Sequence, residues 1–209
     1  MDELNEIDKK LIQQVLKEQD QEAESGFTAT STTLAGLITS RPESWLRAVG
    51  VSLLRSKMPS ERILGSRMLR ELKSERDSNA SLIAEQLRVE DQNSVTVWLL
   101  YALAFLHVQS TLPIVLEFAN HESPEVREAV PDAISGCSGE SLPPSGRDAL
   151  LLLAVDANDQ VRFSAVFELG RWWTSGLVDP QIHKALIQAK VDSHKLVRDA
   201  AADALRQAL

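Results

Sequence analysis

The chain of 209 residues has little of several residue types, and each scarcity excludes a class of protein. Cys137 is the single cysteine, so no intramolecular disulfide can form and a reducing, cytoplasmic location is expected. The acidic N-terminus MDELNEIDKK lacks the apolar core of a secretion signal. The longest apolar run, VTVWLLYALAFLHV, has 14 residues, whereas a membrane-spanning helix needs about 20. We therefore expect a buried helix there and no membrane partner.

Basic residues are also scarce relative to acidic ones. The chain has 22 Lys and Arg against 30 Asp and Glu, which gives a formal net charge of -8. Residues 2–24 contribute eight of the acids and only three lysines. Proteins that bind nucleic acid need clustered Lys and Arg to neutralise phosphates. Nucleic acid is therefore not an expected partner, whereas a basic protein segment is.

Groups that carry catalysis are sparse as well. The four histidines, at positions 107, 121, 183 and 194, are scattered, and none has a partner at metal-ligand spacing. The sequence contains neither a glycine-rich phosphate loop nor a nucleophile elbow. We therefore predict no catalytic residues, no metal site and no cofactor, and expect a protein that is not an enzyme.

What the sequence does contain is a repeat. SPEVREAVPDAIS, NDQVRFSAVFELG and SHKLVRDAAADALRQ each place Val-Arg after a short polar opening, followed by small and apolar residues at helical spacing. Two weaker copies are aligned on Arg62 and Thr96, and the five copies recur every 31 to 36 residues. Such a period is typical of a stacked array of structural units.

Each period also contains a shorter amphipathic segment before the Val-Arg segment, so each unit is predicted to be helix A, a turn and helix B. The apolar face of one helix B is too small to be buried alone, and stacking of neighbouring units completes it. Small residues (Gly65, Ala165 and Ala201) are expected to let helix B approach helix A. The predicted units lie near 43–76, 79–107, 110–136, 144–173 and 179–208.

The Val-Arg-x-x-Ala-x-x-x-Leu-Gly pattern resembles the HEAT repeat, particularly the bacterial HEAT-like units also found in bilin lyases. DANDQVRFSAVFELG and HESPEVREAVPDAIS are the best matches. The resemblance covers residues 43–209 and implies an all-α fold. That fold is a right-handed α-solenoid of about five helix pairs, similar to armadillo-type proteins. Many unrelated functions use this scaffold.

Two segments precede the repeat. Residues 1–24 are predicted to form an acidic amphipathic helix, and residues 25–42, which include SGFTATSTTLAG, are predicted to be a linker. Terminal units of solenoids need a polar outer face, which favours a capping role for the helix over a docking arm for a partner. The apolar side chains predicted on one face of the helix are Leu4, Ile7, Leu11, Val15 and Leu16.

The arginines of the repeat form one column of equivalent positions: Arg62, Arg127, Arg162 and Arg198. The resemblance implies a structural ladder, in which each guanidinium binds the turn of a neighbouring unit. The planar fork of Arg suits that role. Glu125, Asp159 and Asp192 are the expected acceptors. We prefer this interpretation to a ligand-binding basic track.

Two further columns of helix B are expected to point away from helix A. If helix B lines the concave face, as the resemblance implies, that face combines aromatic and acidic side chains. The adjacent Trp172 and Trp173 point in different directions on a helix, and an exposed one is a typical interface anchor. The predicted partner-binding residues are Tyr101, Glu128, Asp132, Phe163, Phe167, Asp199, Asp203 and Trp173.

The favoured function is a non-catalytic scaffold or adaptor that binds a basic partner segment on this acidic-aromatic concave face. A HEAT-like DNA glycosylase of the alkylpurine type is an alternative on resemblance, with Trp172, Trp173 and Asp203 as candidate residues, but the negative charge opposes it. A bilin lyase-like chaperone is another alternative, although an acidic groove repels bilin propionates. An immunity protein that masks a basic toxin is a narrower version of the scaffold.

Overall fold

The computed structural model describes residues 6–25, 32–72 and 74–207, without the side chains of residues 20–25, and these residues form helices and no strand. They divide into two compact units, one within residues 1–102 and one within residues 103–209. The helices are α1 Glu6–Ser25, α2 Thr32–Ser40, α3 Glu43–Leu54, α4 Pro59–Glu71, α5 Arg76–Val89, α6 Asn93–Leu106, α7 Leu112–Glu117, α8 Pro124–Cys137, α9 Pro144–Leu153, α10 Asp159–Thr174, α11 Pro180–Ala189 and α12 Lys195–Gln207.

The predicted alternation of helix A and helix B is confirmed, because α3 to α12 fall into five consecutive pairs. Local sequence explains where the helices begin. Proline occupies the first turn of α4, α8, α9 and α11, where its missing N–H has no intrahelical partner in any case. The Asn158 side chain accepts hydrogen bonds from two backbone N–H groups at the start of α10, and Asp179 does the same for α11.

Within the first unit, α3 and α4 pack closely because Gly65 lies between them. A Cβ atom at position 65 would lie 2.4 Å from the backbone nitrogen of Leu54 and 2.7 Å from the carbonyl oxygen of Gly50. No side chain fits at that distance, so glycine is required for this approach. The contact agrees with the predicted role of a small residue at this position of helix B.

The N-terminal helix α1 lies against α4. Ile12, Val15 and Leu16 are buried, and Gln19 Nε2 donates a hydrogen bond of 2.9 Å to the carbonyl oxygen of Ser60. The apolar face differs from the predicted one, since Ile7 is exposed and Ile12 replaces it in the core. Leu4 lies outside the described residues. The packing on α4 is compatible with a cap, which stays a prediction.

The segment predicted to be a linker contains a helix. Residues 32–40 form α2, which buries Leu34 and Leu37, while residues 26–31 lie outside the described part of the chain. Thr33 Oγ1 donates a 2.6 Å hydrogen bond to Glu18 of α1. The short apolar segment TTLAGLITS is therefore part of the packed N-terminal region, and its small and β-branched residues concealed this in the sequence.

In the second unit, α10 packs against both α8 and α12. The valines of the repeat motif, Val126, Val161 and Val197, are completely buried at equivalent positions of these three helices. The alanines four residues further on, including Ala165 and Ala201, are also buried. The repeat motif is thus first of all a packing motif. No helix within the described ranges is both long and apolar enough to span a membrane.

Candidate functional site

Three of the four motif arginines join helix B of one unit to the turn after helix A of the next. Each of the three donates through Nε and Nη2 to the two oxygens of one carboxylate, at 2.7–2.9 Å. Each Nη1 also donates to two backbone carbonyls of the preceding turn. The pairs are Arg62–Glu90, Arg127–Asp156 and Arg162–Asp192.

Only one of the expected acceptors takes this role. Asp192 is one of the expected acceptors and accepts from Arg162, but the other two pairs use Glu90 and Asp156 and neither Glu125 nor Asp159. The correct acceptors lie directly after helix A, where the turn brings a carboxylate to the guanidinium. Asp159 instead lies 3.6 Å from the ring of His194. The fourth motif residue, Arg198, donates to the carbonyl oxygens of Asp192 and Ser193.

The arginines of the ladder lower the pKa values of the carboxylates that they bind. Hydrogen bonds from Arg127 lower the pKa of Asp156, and those from Arg162 lower the pKa of Asp192. Burial alone would raise the pKa of Glu90, but the hydrogen bonds from Arg62 and Gln86 lower it overall. These carboxylates are therefore held ionised inside structural ion pairs.

Four of the predicted partner-binding residues line one groove between α10 and α12, which we call the acidic-aromatic groove. Its volume is about 300 Å³. Phe163 and Phe167 lie with ring centroids 6.1 Å apart, and Phe167 is 49% exposed. Asp199 and Asp203 line the groove from α12. The rest of the lining is Gly170, Arg171, Thr174, Leu196, Ala200, Ala204 and Gln207.

The two aspartates of the groove are exposed and engage neighbours on their own helix. Asp199 contacts Lys195, and Asp203 contacts Arg206. Exposed ion pairs of this kind contribute little to stability. A cationic group of a partner can therefore take the place of Lys195 or Arg206 at little cost.

The other predicted residues do not line this groove. Glu128 and Asp132 lie on α8, where partial loss of hydrating water raises the pKa of each, although the Asp132 side chain keeps an exposed surface. Tyr101 belongs to the first unit and contacts Trp98 edge-on at 6.3 Å between ring centroids. Trp173 is half-buried and stacks on His183 of α11 at 5.1 Å. The expected exposed anchor is thus packed against helix A of the following repeat.

Sequence reasoning missed a second cavity between α8 and α10, of about 470 Å³, which we call the Glu168 cavity. Glu168 is only 4% exposed, and burial raises its pKa. Trp172 lines the same cavity. One signal was present: the positions equivalent to Glu168 in the other units are Met68, Ala102, Ala133 and Ala204, so a carboxylate there interrupts an apolar column.

Neither cavity has the donors of a metal centre. The described ranges contain no group of three or more His, Cys, Asp or Glu side chains that could hold an ion. Cys137 is buried, and burial raises the pKa of its thiol. A buried protonated thiol is a poor nucleophile. What both cavities offer is binding through shape, charge and aromatic surface.

Comparison with known proteins identifies relatives by structure only. No protein-family profile matches the sequence, and no curated protein matches it either. A chain of the CpcE–CpcF complex of phycocyanin lyase from Nostoc sp. PCC7120 superposes with a TM-score of 0.63. Its identity is 17%, over 78% of this chain and 99% of that one.

Two further structures are similar. A designed armadillo repeat protein in complex with the peptide (KR)4 has a TM-score of 0.53 and 16% identity over 96% of this chain and 98% of that one. A chain from a study of microtubule plus-end tracking by XMAP215, CLIP-170 and EB1 has a TM-score of 0.52 and 16% identity, over 77% of each chain. This chain therefore has the helical-repeat fold of HEAT and armadillo proteins.

Proposed function

We propose that the protein is a non-catalytic interaction module whose acidic-aromatic groove binds a basic protein segment carrying an apolar side chain. The observation that carries the proposal is the groove itself. Two phenylalanines form its apolar part, one of them half exposed, and two aspartates form its edge on the opposite helix. Aromatic anchors surrounded by charge are typical of protein-binding surfaces.

The groove has a physical reason to be filled. An exposed phenylalanine beside a second one keeps apolar area in contact with water, at about 25 cal/mol for each Å². An apolar side chain seated between Phe163 and Leu196 would remove that area from water. Basic residues on either side of it would reach Asp199 and Asp203. Such charges accelerate association and select against acidic partners.

The structural neighbours support this function in general terms. One is a designed armadillo repeat protein bound to a peptide of alternating Lys and Arg. Another is part of a complex between two protein chains, CpcE and CpcF. The fold alone does not decide the function, so the chemistry of the groove has to carry the proposal for this chain.

Photo-crosslinking tests the proposal. A benzophenone amino acid replaces Phe167 in the full chain, which is expressed in its own cells and irradiated. We expect one dominant adduct, and mass spectrometry should place the crosslink in a segment rich in Lys or Arg. Ile187 is a matched control position, since it is 48% exposed on α11, away from the groove.

Salt and substitution complete the test. The adduct from position 167 should decrease at high salt, because the Debye length falls from about 10 Å at 0.1 M to about 3 Å at 1 M ionic strength and exposed charges attract each other less. Replacing Asp199 and Asp203 by Asn should weaken capture, whereas Glu122→Gln with Glu140→Gln removes the same charge elsewhere. Equal capture from positions 167 and 187, or an acidic captured segment, would refute the proposed groove.

A bilin-handling role is the second candidate, and the phycocyanin lyase neighbour is what favours it. Arg171 lines both cavities and offers the only guanidinium in either lining for a propionate. The protein would be purified from cells that make a bilin, and its visible absorbance recorded. A bound-pigment spectrum that disappears in Arg171→Ala supports this role, and a colourless protein from pigmented cells excludes it.

A further inference from the structure

The Glu168 cavity is built around a buried carboxylate. Glu168 lies on α10, where Arg171 Nη1 donates to both of its oxygens at 3.0 Å. The Ser135 hydroxyl of α8 donates to the same carboxylate. Arg171 itself keeps 59% of its side chain exposed, so it lies at the rim and the carboxylate lies inside.

Apart from Arg171 at the rim, the side-chain hydrogen-bond donors that line this cavity are already engaged. Trp172 Nε1 donates to Ser135 Oγ at 3.0 Å. The hydroxyls of Thr174 and Ser175 donate to backbone carbonyls of their own helix. Since a carbonyl oxygen only accepts, His107 Nδ1 must carry the hydrogen of its 3.1 Å contact with Gly136.

What these bonds leave toward the cavity is a set of acceptors. Each carboxylate oxygen of Glu168 has a further lone pair, and each hydroxyl keeps its own. With its hydrogen on Nδ1, the His107 tautomer presents Nε2 as an acceptor. A ligand that lies deeper than Arg171 must therefore donate hydrogen bonds to this lining.

Charge favours the same ligand. Burial raises the pKa of Glu168, and the nearby Asp132 carboxyl on α8 adds to that rise, so the two carboxyl groups lie close enough to repel each other. Arg171 is the one full cation in the cavity lining. Two carboxylates thus share a single guanidinium, and a second cation would relieve their repulsion. The indole of Trp172 adds a π face that attracts cations, guanidinium above all.

We propose that the Glu168 cavity is a receptor for one cationic side chain, an arginine or a lysine, of the bound segment. Arg171 and Thr174 line this cavity and the acidic-aromatic groove alike. A segment lying in the groove therefore lies beside the cavity, with these two residues common to both linings. The inference rests on the proposed function in one respect only, namely that the cationic side chain belongs to the bound segment. The chemistry of the cavity itself does not depend on the phenylalanines of the groove.

A small probe tests the cavity without a partner. Nα-acetyl-arginine amide is titrated into the ¹⁵N-labelled full chain, and the four tryptophan indole N–H signals are followed by NMR. The signal that disappears in Trp172→Phe identifies Trp172. We expect this signal to shift saturably, while that of Trp173 moves little. Nα-acetyl-citrulline amide has the same shape without the charge and should produce no saturable shift.

Variants separate the cavity from the groove. Glu168→Gln should weaken the arginine probe by about tenfold, because a buried cation loses its carboxylate, and Asp132→Asn, at an exposed position, should weaken it less. Unshifted signals of the other three tryptophans show that each variant is folded. Phe167→Ala should leave probe binding unchanged while partner capture falls.

The outcomes distinguish the two proposals. Equal shifts with citrulline, or unchanged affinity in both Glu168→Gln and Asp132→Asn, would overturn the cation receptor and leave the groove untouched. Arginine binding that depends on Glu168, in a protein that captures nothing from position 167, would keep the cavity as a cation site and refute the proposed segment-binding groove.

Discussion

Helices α4 and α10 hold the same position in the repeat but have opposite surroundings. On α4, every residue from Arg62 to Leu69 is buried, including Ile63 at 9% exposure and Arg67 at 1%. On α10, the residue equivalent to Arg67 is Phe167, which is half exposed. The same face of helix B is therefore covered in one unit and open in the other.

The cover on α4 is helix α1. Gln19 of α1 receives a 3.3 Å hydrogen bond from Arg67 and donates one to the carbonyl oxygen of Ser60. Ser60 and Arg67 are seven residues apart and lie on one face of α4. The guanidinium of Arg67 also lies 5.1 Å from the Trp98 ring centroid. The comparison teaches that this face of helix B can be covered by a chain segment, which on α4 comes from the same polypeptide.

The largest expected effect comes from a substitution that disrupts the packing of α1 on α4. Val15→Asp places a carboxylate in the completely buried side of α1, which should lower the free energy of unfolding of the first unit by about 3 kcal/mol or more. Urea denaturation followed by circular dichroism measures this, with hydrogen exchange of α4 as a local readout. Unchanged stability would mean that α1 does not cover α4 in solution.

The next effect concerns the ladder, which both units share. Arg62→Met should cost about 3 kcal/mol, because it leaves the almost fully buried Glu90 carboxylate without its partner. Arg127→Met should cost less, about 1–2 kcal/mol, since Asp156 keeps some access to water. Denaturant titrations of the two variants compare them. A larger loss of stability in Arg127→Met than in Arg62→Met would show that burial of the carboxylate does not decide the strength of a ladder ion pair.

Acid should weaken the ladder. The folded-state pKa values of Glu90, Asp156 and Asp192 are lowered, so their contribution to stability is complete above the unfolded-state pKa of about 4. It is lost as the pH falls through the lowered folded-state values. The raised pKa values of Asp132 and Glu168 act in the opposite direction.

A variant separates these opposing contributions. The difference in unfolding free energy between the native chain and Arg127→Met should be constant near neutral pH and shrink below about pH 4, because Asp156 takes up its proton there in the unfolded chain but only at lower pH in the folded native chain. Denaturant titrations at a series of pH values measure it. A difference that grows on acidification would contradict the assigned ion pair.

The smallest effect is expected at the open face. Phe167→Ala should change the free energy of unfolding by less than about 1 kcal/mol, because half of the side chain is already in water. The equivalent change on the covered face, Arg67→Ala, should cost more than twice as much through the loss of its buried contacts. Thermal denaturation of both variants measures the two losses of stability. Equal losses would mean that the covered face of α4 and the open face of α10 do not differ.

Much of the fold was predictable from the sequence because packing imposes its own period. The five copies of the motif recur every 31 to 36 residues, and the structure gives each copy a helix pair. The ladder arginines were predictable as a column, but two of three acceptors were not. The identity of each acceptor depends on the length of the turn after helix A, and the residue types alone do not determine that length.

The site was only partly predictable. Phe163, Phe167, Asp199 and Asp203 line one groove, since positions four apart on adjacent helices B share a face. The stacking of Trp173 on His183 was missed, because side-chain direction at a helix end depends on the following loop. The covering of Arg67 depends on a helix more than forty residues earlier, and helical periodicity contains no information on such contacts.

The affinity of the captured segment, synthesised as a peptide, tests the central claim most directly. It would be titrated against the native chain, Phe167→Ala and Ile187→Ala, which truncate apolar side chains of equal exposure. We predict a loss of about tenfold or more for Phe167→Ala, as for a typical anchor, and a change of less than about twofold for Ile187→Ala. Equal effects of the two substitutions would contradict the claim that the open face of α10 is the binding surface.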